Sequence, residues 1–157
     1  MLSKEITLDE IKEISSKSNI KTIVEVFSKP TVGFSRRKLV TNYNHDRGVD
    51  DGKKIEVLEK VSKDTYIVSE ENCGTGFILN KVLNGTGVIK DLYDNNISYI
   101  LMREVDNINF LELVSDTKSY IENNCSDDSY ISKYKKLGDS TGFFFKKTIY
   151  KVKKWER

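Results

Sequence analysis

Residues 7–29 place apolar side chains at helical spacing. Leu8, Ile11 and Ile14 recur three apart, and Thr7 with Glu10 has the form of a capping box. Lys17-Ser18-Asn19 interrupts the stripe and offers a new cap. Ile20, Ile23, Val24 and Phe27 then fall at i, i+3, i+4 and i+7, which predicts a second helix, and Pro30 ends it. Residues 1–30 therefore read as a helical hairpin. As a helix-turn-helix, its second member would expose Lys21, Thr22 and Glu25. Glu25 would repel phosphate, so packing of the hairpin on a sheet is favoured.

From Thr31 to Arg103 the period becomes two. Ile55, Val57 and Val61 alternate with Lys54, Glu56 and Lys60, Ser62-Lys63-Asp64 makes a turn, and Thr65–Val68 returns. Phe77–Leu79 and Val88-Ile89 are short apolar runs entered through glycine. Asn84-Gly85 is a hairpin signal, because both central residues of such a turn need positive φ. Asp94-Asn95-Asn96 turns the chain into Ile97–Met102. Five or more short antiparallel strands predict a barrel-like sheet over residues 31–103.

The helical period resumes after Asp106, which is placed to cap a helix whose face carries Phe110, Leu113, Val114, Tyr120 and Ile121. Asn123-Asn124 ends it. Tyr130, Ile131 and Tyr134 predict a further short helix stopped by Gly138, and Gly142 opens a final strand, Phe143–Val152. No linker interrupts the 157 residues. The expected architecture is one α+β domain: an N-terminal helical hairpin, a central antiparallel barrel-like sheet, one long helix, and a basic C-terminal strand.

Charge changes this picture at one end. The chain is nearly neutral, yet Ile131–Arg157 holds nine basic and two acidic residues, a net +7, against −5 for residues 1–130. Such asymmetry points to an anionic partner, nucleic acid first. It equally suits a basic edge strand that resists aggregation. Within the tail, Lys147, Lys151 and Lys153 share one strand parity and Tyr150 and Val152 the other. Lys146 and Lys154 reach outward if the ends twist. A second basic patch, Arg36-Arg37-Lys38, lies near Tyr43 and Arg47 and suits a phosphate backbone.

Composition excludes several classes. One His, two Cys and one Pro leave no zinc architecture or disulfide framework, and no cofactor motif is present. The N-terminus lacks a signal-peptide pattern, and no run approaches the length of a membrane span. A cytoplasmic setting follows as the expectation.

Candidate chemistry is sparse. His45, in the polar loop Tyr43–Gly48, and Cys73 offer a base and a nucleophile, but nothing completes a site around either. A restriction-type Asp…Glu-x-Lys set fails, because Glu59 and Lys60 are adjacent and point to opposite faces of a strand. Gly74-Thr75-Gly76-Phe77-Ile78-Leu79-Asn80 is echoed by Gly85-Thr86-Gly87-Val88-Ile89-Lys90-Asp91. Without a following Lys-Ser/Thr these are expected as two turns rather than a phosphate loop.

The stretch Ile55–Ile97, 43 of the 157 residues, resembles a β-rich module of phage proteins that often precedes AP2-type or HNH domains in homing-endonuclease-like chains. Ile55–Leu58, Thr65–Val68 and Gly76–Ile78 stand where that module has strands, and Leu83–Tyr93 where it closes, with Leu92 in place of a common proline. The resemblance implies a phage or mobile-element source, hence a bacterial cytoplasm, and a role near DNA. It implies no catalytic residue. The expected function is a non-enzymatic protein that binds nucleic acid, DNA favoured over RNA, through Arg36, Arg37, Lys38, Arg47, Lys146, Lys147, Lys151, Lys153 and Lys154. The alternative is a small phage anti-defence inhibitor, similar in composition to anti-CRISPR proteins, that binds a host protein.

Overall fold

The computed structural model describes residues 1–50, 52–123, 126–138 and 140–146. The fold is α+β, with two separate open sheets in place of the expected barrel.

Helix α1, Leu8–Lys17, forms where the capping box foretells. The Glu10 amide donates to the Thr7 hydroxyl at 3.2 Å, and the Thr7 amide donates to the Glu10 carboxylate at 2.7 Å. Leu8 and Ile11 are its buried positions.

The second expected helix is instead strand β1, Ile23–Ser28, the central strand of a three-stranded sheet. It lies between β6, Leu83–Asn84, antiparallel, and β7, Tyr99–Met102, parallel. Val24, Val26 and Phe27 are all buried. A strand covered on both faces reads as a continuous β-branched run, and its apolar positions coincided with helical spacing. The parallel β1–β7 pair also corrects the expectation of an all-antiparallel core.

The second sheet is antiparallel, in the order β2-β5-β4-β3. Its strands are β2, Thr31–Ser35; β3, Lys54–Leu58; β4, Thr65–Glu71; and β5, Gly74–Leu79. The β3–β4 turn contains Lys63 at φ 62°. Asn72-Cys73 forms the tight β4–β5 turn. At Gly74, φ is 142°, and a Cβ would lie 2.1 Å from the Ser35 carbonyl oxygen, so only glycine fits.

Between β2 and β3 the structure inserts a helix in what reads as a loop: α2, Leu39–Arg47, ended by Gly48 in the left-handed conformation. Val40 and Asn44, four apart, face inward.

Asn84-Gly85 makes no hairpin. Gly85 has φ −99°, and the chain continues into a 3-10 turn, Thr86–Val88, and helix α3, Ile89–Asp94, in place of the expected strand at Val88-Ile89. Asn84 explains this locally. Its buried side-chain oxygen accepts from the Thr86 amide and hydroxyl, while its side-chain NH2 donates to the Tyr134 carbonyl. That arrangement coils the backbone forward.

Helix α4, Phe110–Ile121, is capped by Asn109 rather than Asp106. Leu113, Thr117 and Tyr120 are buried, while Val114 remains exposed. Helix α5, Asp127–Tyr134, begins at the Ser126 cap and runs into a 3-10 turn, Lys135–Leu137, before Gly138. Lys133 bridges Glu112 and Asp116 of α4, each at 2.6 Å, and Tyr120 stacks on Tyr130 with ring centroids 4.3 Å apart. The main core gathers β1, α3, α4, α5 and Phe144. Phe143–Lys146 is a turn, not the start of the expected strand; residues 147–157 lie outside the described residues.

Candidate nucleic-acid interface

Arg36, Arg37 and Lys38 are exposed between β2 and α2, on a backbone fixed from below. The Arg37 amide donates to the Ser35 hydroxyl at 3.1 Å. The fully buried Thr75 hydroxyl donates to the Arg37 carbonyl at 2.8 Å and accepts from the Leu39 amide at 3.0 Å. One threonine thus pins both sides of the basic run. This is what the first glycine-threonine-glycine segment does, inside strand β5. The second leads into the 3-10 turn, so the two segments are not equivalent turns.

Glu70 of β4 closes the start of α2. Its carboxylate accepts from the Thr41 amide at 3.0 Å and from the Thr41 hydroxyl. Hydrogen bonds from Thr41, and then from Val40, with the nearby charge of Lys38, hold the carboxyl below the usual range. The helix N-terminus is therefore already occupied by an internal anion. A phosphate arriving here would meet the guanidinium groups and not the helix amides.

Further along α2, the Arg47 guanidinium donates to the Tyr43 hydroxyl at 3.2 Å and lies 5.3 Å from its ring centroid. Tyr43 and Arg47 border a groove of about 730 Å³ between α2 and β3, with Lys54 on the opposite bank and Ile55, Val68 and Phe77 as floor. Among the described residues, Arg36, Arg37 and Arg47 make no ion pair with a carboxylate. Many cations elsewhere are neutralised: Lys81 by Asp64, Lys90 by Asp127, Lys133 by Glu112 and Asp116, and Arg103 by Glu25. Helix α2 is not foretold, because Tyr43–Gly48 reads as a polar loop within a stretch of period two. The signals for it were Val40 and Asn44 four apart and Gly48 directly after Arg47.

Lys146 belongs to a different place. Its ammonium lies 4.7 Å from the Phe143 ring centroid, beside a cleft of about 360 Å³ at the seam of the two sheets. Lys4 and Lys81 border the same cleft and are paired with Glu25 and Asp64. Asp64 is held below its ordinary value, first by hydrogen bonds from Lys81 and Ser62 and then by the charges of Lys81 and Lys146. Asp64 precedes β4 and Glu70 lies at its far end, so about 20 Å of strand separates Lys146 from Arg36–Lys38. The structure does not merge the two basic patches. Lys147, Lys151, Lys153 and Lys154 lie outside the described residues.

His45 is exposed on α2 and Cys73 is exposed in the β4–β5 turn, with no hydrogen bond between them. The Glu59 carboxylate accepts from the Val61 and Ser62 amides, so it caps its own turn. Asp51 is outside the described residues. Among the described residues, no three His, Cys, Asp or Glu side chains gather as metal ligands, and no helix is long and apolar enough to cross a membrane. Comparison of the chain with protein-family models, with curated proteins and with solved structures finds no match.

Proposed function

We propose that the protein binds nucleic acid without catalysing a reaction, in the service of a phage or mobile element inside a bacterial cell. The observation that carries this reading is the set of arginines at α2. Arg36 and Arg37 stand exposed on an anchored backbone, and Arg47 lies against Tyr43 on α2, none of them paired with a carboxylate among the described residues. The nine residues of α2 rise about 13 Å, so Arg36-Arg37 and Arg47 stand toward opposite ends of one short helix. Duplex DNA is the favoured partner over RNA. Lys146 is a second, separate contact, with the basic tail beyond it.

The alternative is a phage inhibitor that captures a host protein, and the β3–β4 hairpin favours it. Leu58 and Val61 are 60% and 90% exposed at its tip, where apolar side chains suit a protein partner. A pulldown from bacterial lysate, with and without nuclease treatment, separates the two readings. The nucleic-acid reading expects captured material that disappears with nuclease. Nuclease-resistant capture of one protein contradicts it.

A further inference from the structure

We propose that Phe34 is a stacking platform for one unpaired base of a nucleic acid whose backbone lies on Arg36 and Arg37. This rests on the nucleic-acid reading above and adds to it a site that tells unpaired bases from paired ones.

Phe34 is 57% exposed in β2, although an aromatic side chain ordinarily contributes to a fold by burial. Strand register settles which way it points. Phe34 pairs with Gly76 of β5, and Gly76 with Ser69 of β4. The neighbouring residues Thr75 and Glu70 bond to Leu39 and Thr41 on the opposite face of the sheet. Phe34 therefore points away from α2, and its cross-strand partner has no side chain.

Two glycines shape the surface around the ring. A Cβ on Gly74 would lie 2.9 Å from Phe34 Cζ and 2.9 Å from the Arg36 Cα, so the ring tip and the start of the basic run meet over one residue. A Cβ on Gly76 would meet only the Ser69 carbonyl oxygen, at 3.9 Å, so the space above that glycine is open. Shielding a glycine is a structural role for an aromatic ring. Here it occupies the tip at Gly74 and leaves most of the ring in solvent, beside an open shelf.

Charge selects the occupant. Arg36 follows Phe34 by two residues, at most about 7 Å of chain. Arg36 and Arg37 are exposed and, among the described residues, in no ion pair with a carboxylate. Glu71 pairs with Gly74 of β5 and so lies two strands, about 10 Å, from β2. A base stacked on the ring brings its phosphate towards the arginines, which combines the aromatic and cationic contacts that single strands use. A paired base must leave its stack to offer a face to the ring, and at a single-stranded end that cost is absent.

The test compares binding of the full chain to a blunt DNA duplex and to a duplex of equal length with one end left single-stranded and carrying 2-aminopurine, whose fluorescence falls on stacking. Wild type is expected to prefer the single-stranded end and to quench the probe. Phe34→Ala should lose that preference, weakening binding to the single-stranded end roughly 5- to 150-fold, the worth of one stacked base. Its blunt-duplex affinity and salt slope should stay unchanged, because no phosphate contact is removed. Phe34→Leu keeps an apolar side chain at Gly74 and should lose the preference equally, whereas Phe34→Trp should retain it. Circular dichroism checks the fold of each variant. Equal wild-type affinity for the two duplexes, or a preference that survives in Phe34→Leu, overturns the stacking site and leaves duplex binding by the arginines standing. Failure to bind either duplex overturns the nucleic-acid reading, and the stacking site with it.

Discussion

Glu70 and Thr41 join the second sheet to α2: one carboxylate accepts from both the amide and the hydroxyl of one threonine. This link sets where the helix begins and so where Arg36 and Arg37 are held. Since Glu70 is held below the ordinary carboxylate range in the folded state, its contribution is full above the unfolded value, about pH 4.3. That contribution is lost as the pH falls through the folded value. Thermal unfolding followed from pH 7 to pH 3 should show a drop at the acid end that is smaller in Glu70→Gln, with the variant already less stable at pH 7.

A second pH effect lies at the alkaline end. Tyr130 is pushed up to about 12, chiefly by burial, and Tyr134 likewise to about 12 by burial and its hydrogen bond to Asp116. In the unfolded chain both ionise near pH 10. Their protonated forms are thus favoured by folding, and stability falls as the pH rises from about 10 towards 12. Tyr130→Phe should flatten that fall. At pH 7 it should cost about 0.5–1.5 kcal/mol, for the lost hydrogen bond to Thr117. Denaturant titrations at pH 7, 10 and 11.5 measure both.

Gly85 matters through space and not through its dihedral. A Cβ there would lie 2.6 Å from Phe144 Cε2 and 3.0 Å from the Val26 carbonyl oxygen. Gly85→Val is expected to destabilise by roughly 1–3 kcal/mol through overpacking. Phe144→Leu should relieve part of this, so the double-mutant cycle should show favourable coupling. Strict additivity would show that Phe144 is not the obstacle.

Much of the fold was legible. Thr7 with Glu10 announced α1, and the alternation from Ile55 to Leu79 announced β3, β4 and β5, because a half-exposed antiparallel sheet writes its period into the chain. The errors came where that period vanishes. Ile20–Phe27 is rich in β-branched residues, and that enrichment outweighs a helical spacing produced by chance in a doubly buried strand. Asn84-Gly85 has the composition of a hairpin, but Asn84 is buried and bonded to Thr86 and Tyr134, a tertiary fact invisible locally. At the candidate interface, Arg36–Lys38 and Arg47 were legible as charge. Their joint placement on either end of α2, and the Glu70 lock beneath it, depended on contacts across some 30 residues.

His45 and Cys73 should be dispensable. Both are exposed and neither is hydrogen-bonded to the other. The double variant His45→Ala/Cys73→Ser should keep wild-type nucleic-acid affinity within about twofold, since surface substitutions usually stay within 0.5 kcal/mol. Loss of function in a folded double variant would point to chemistry at one of them.

The most direct measurement is a salt titration of affinity for a random DNA duplex, comparing wild type with Arg36→Gln/Arg37→Gln/Arg47→Gln. Each phosphate contact contributes about −0.9 to the slope of log affinity against log salt. The wild type should bind more tightly than about 100 μM at moderate salt, and the triple variant should bind more weakly with a slope flatter by roughly two to three. A wild type that shows no binding up to about 100 μM, or a triple variant with an unchanged slope, would contradict the account.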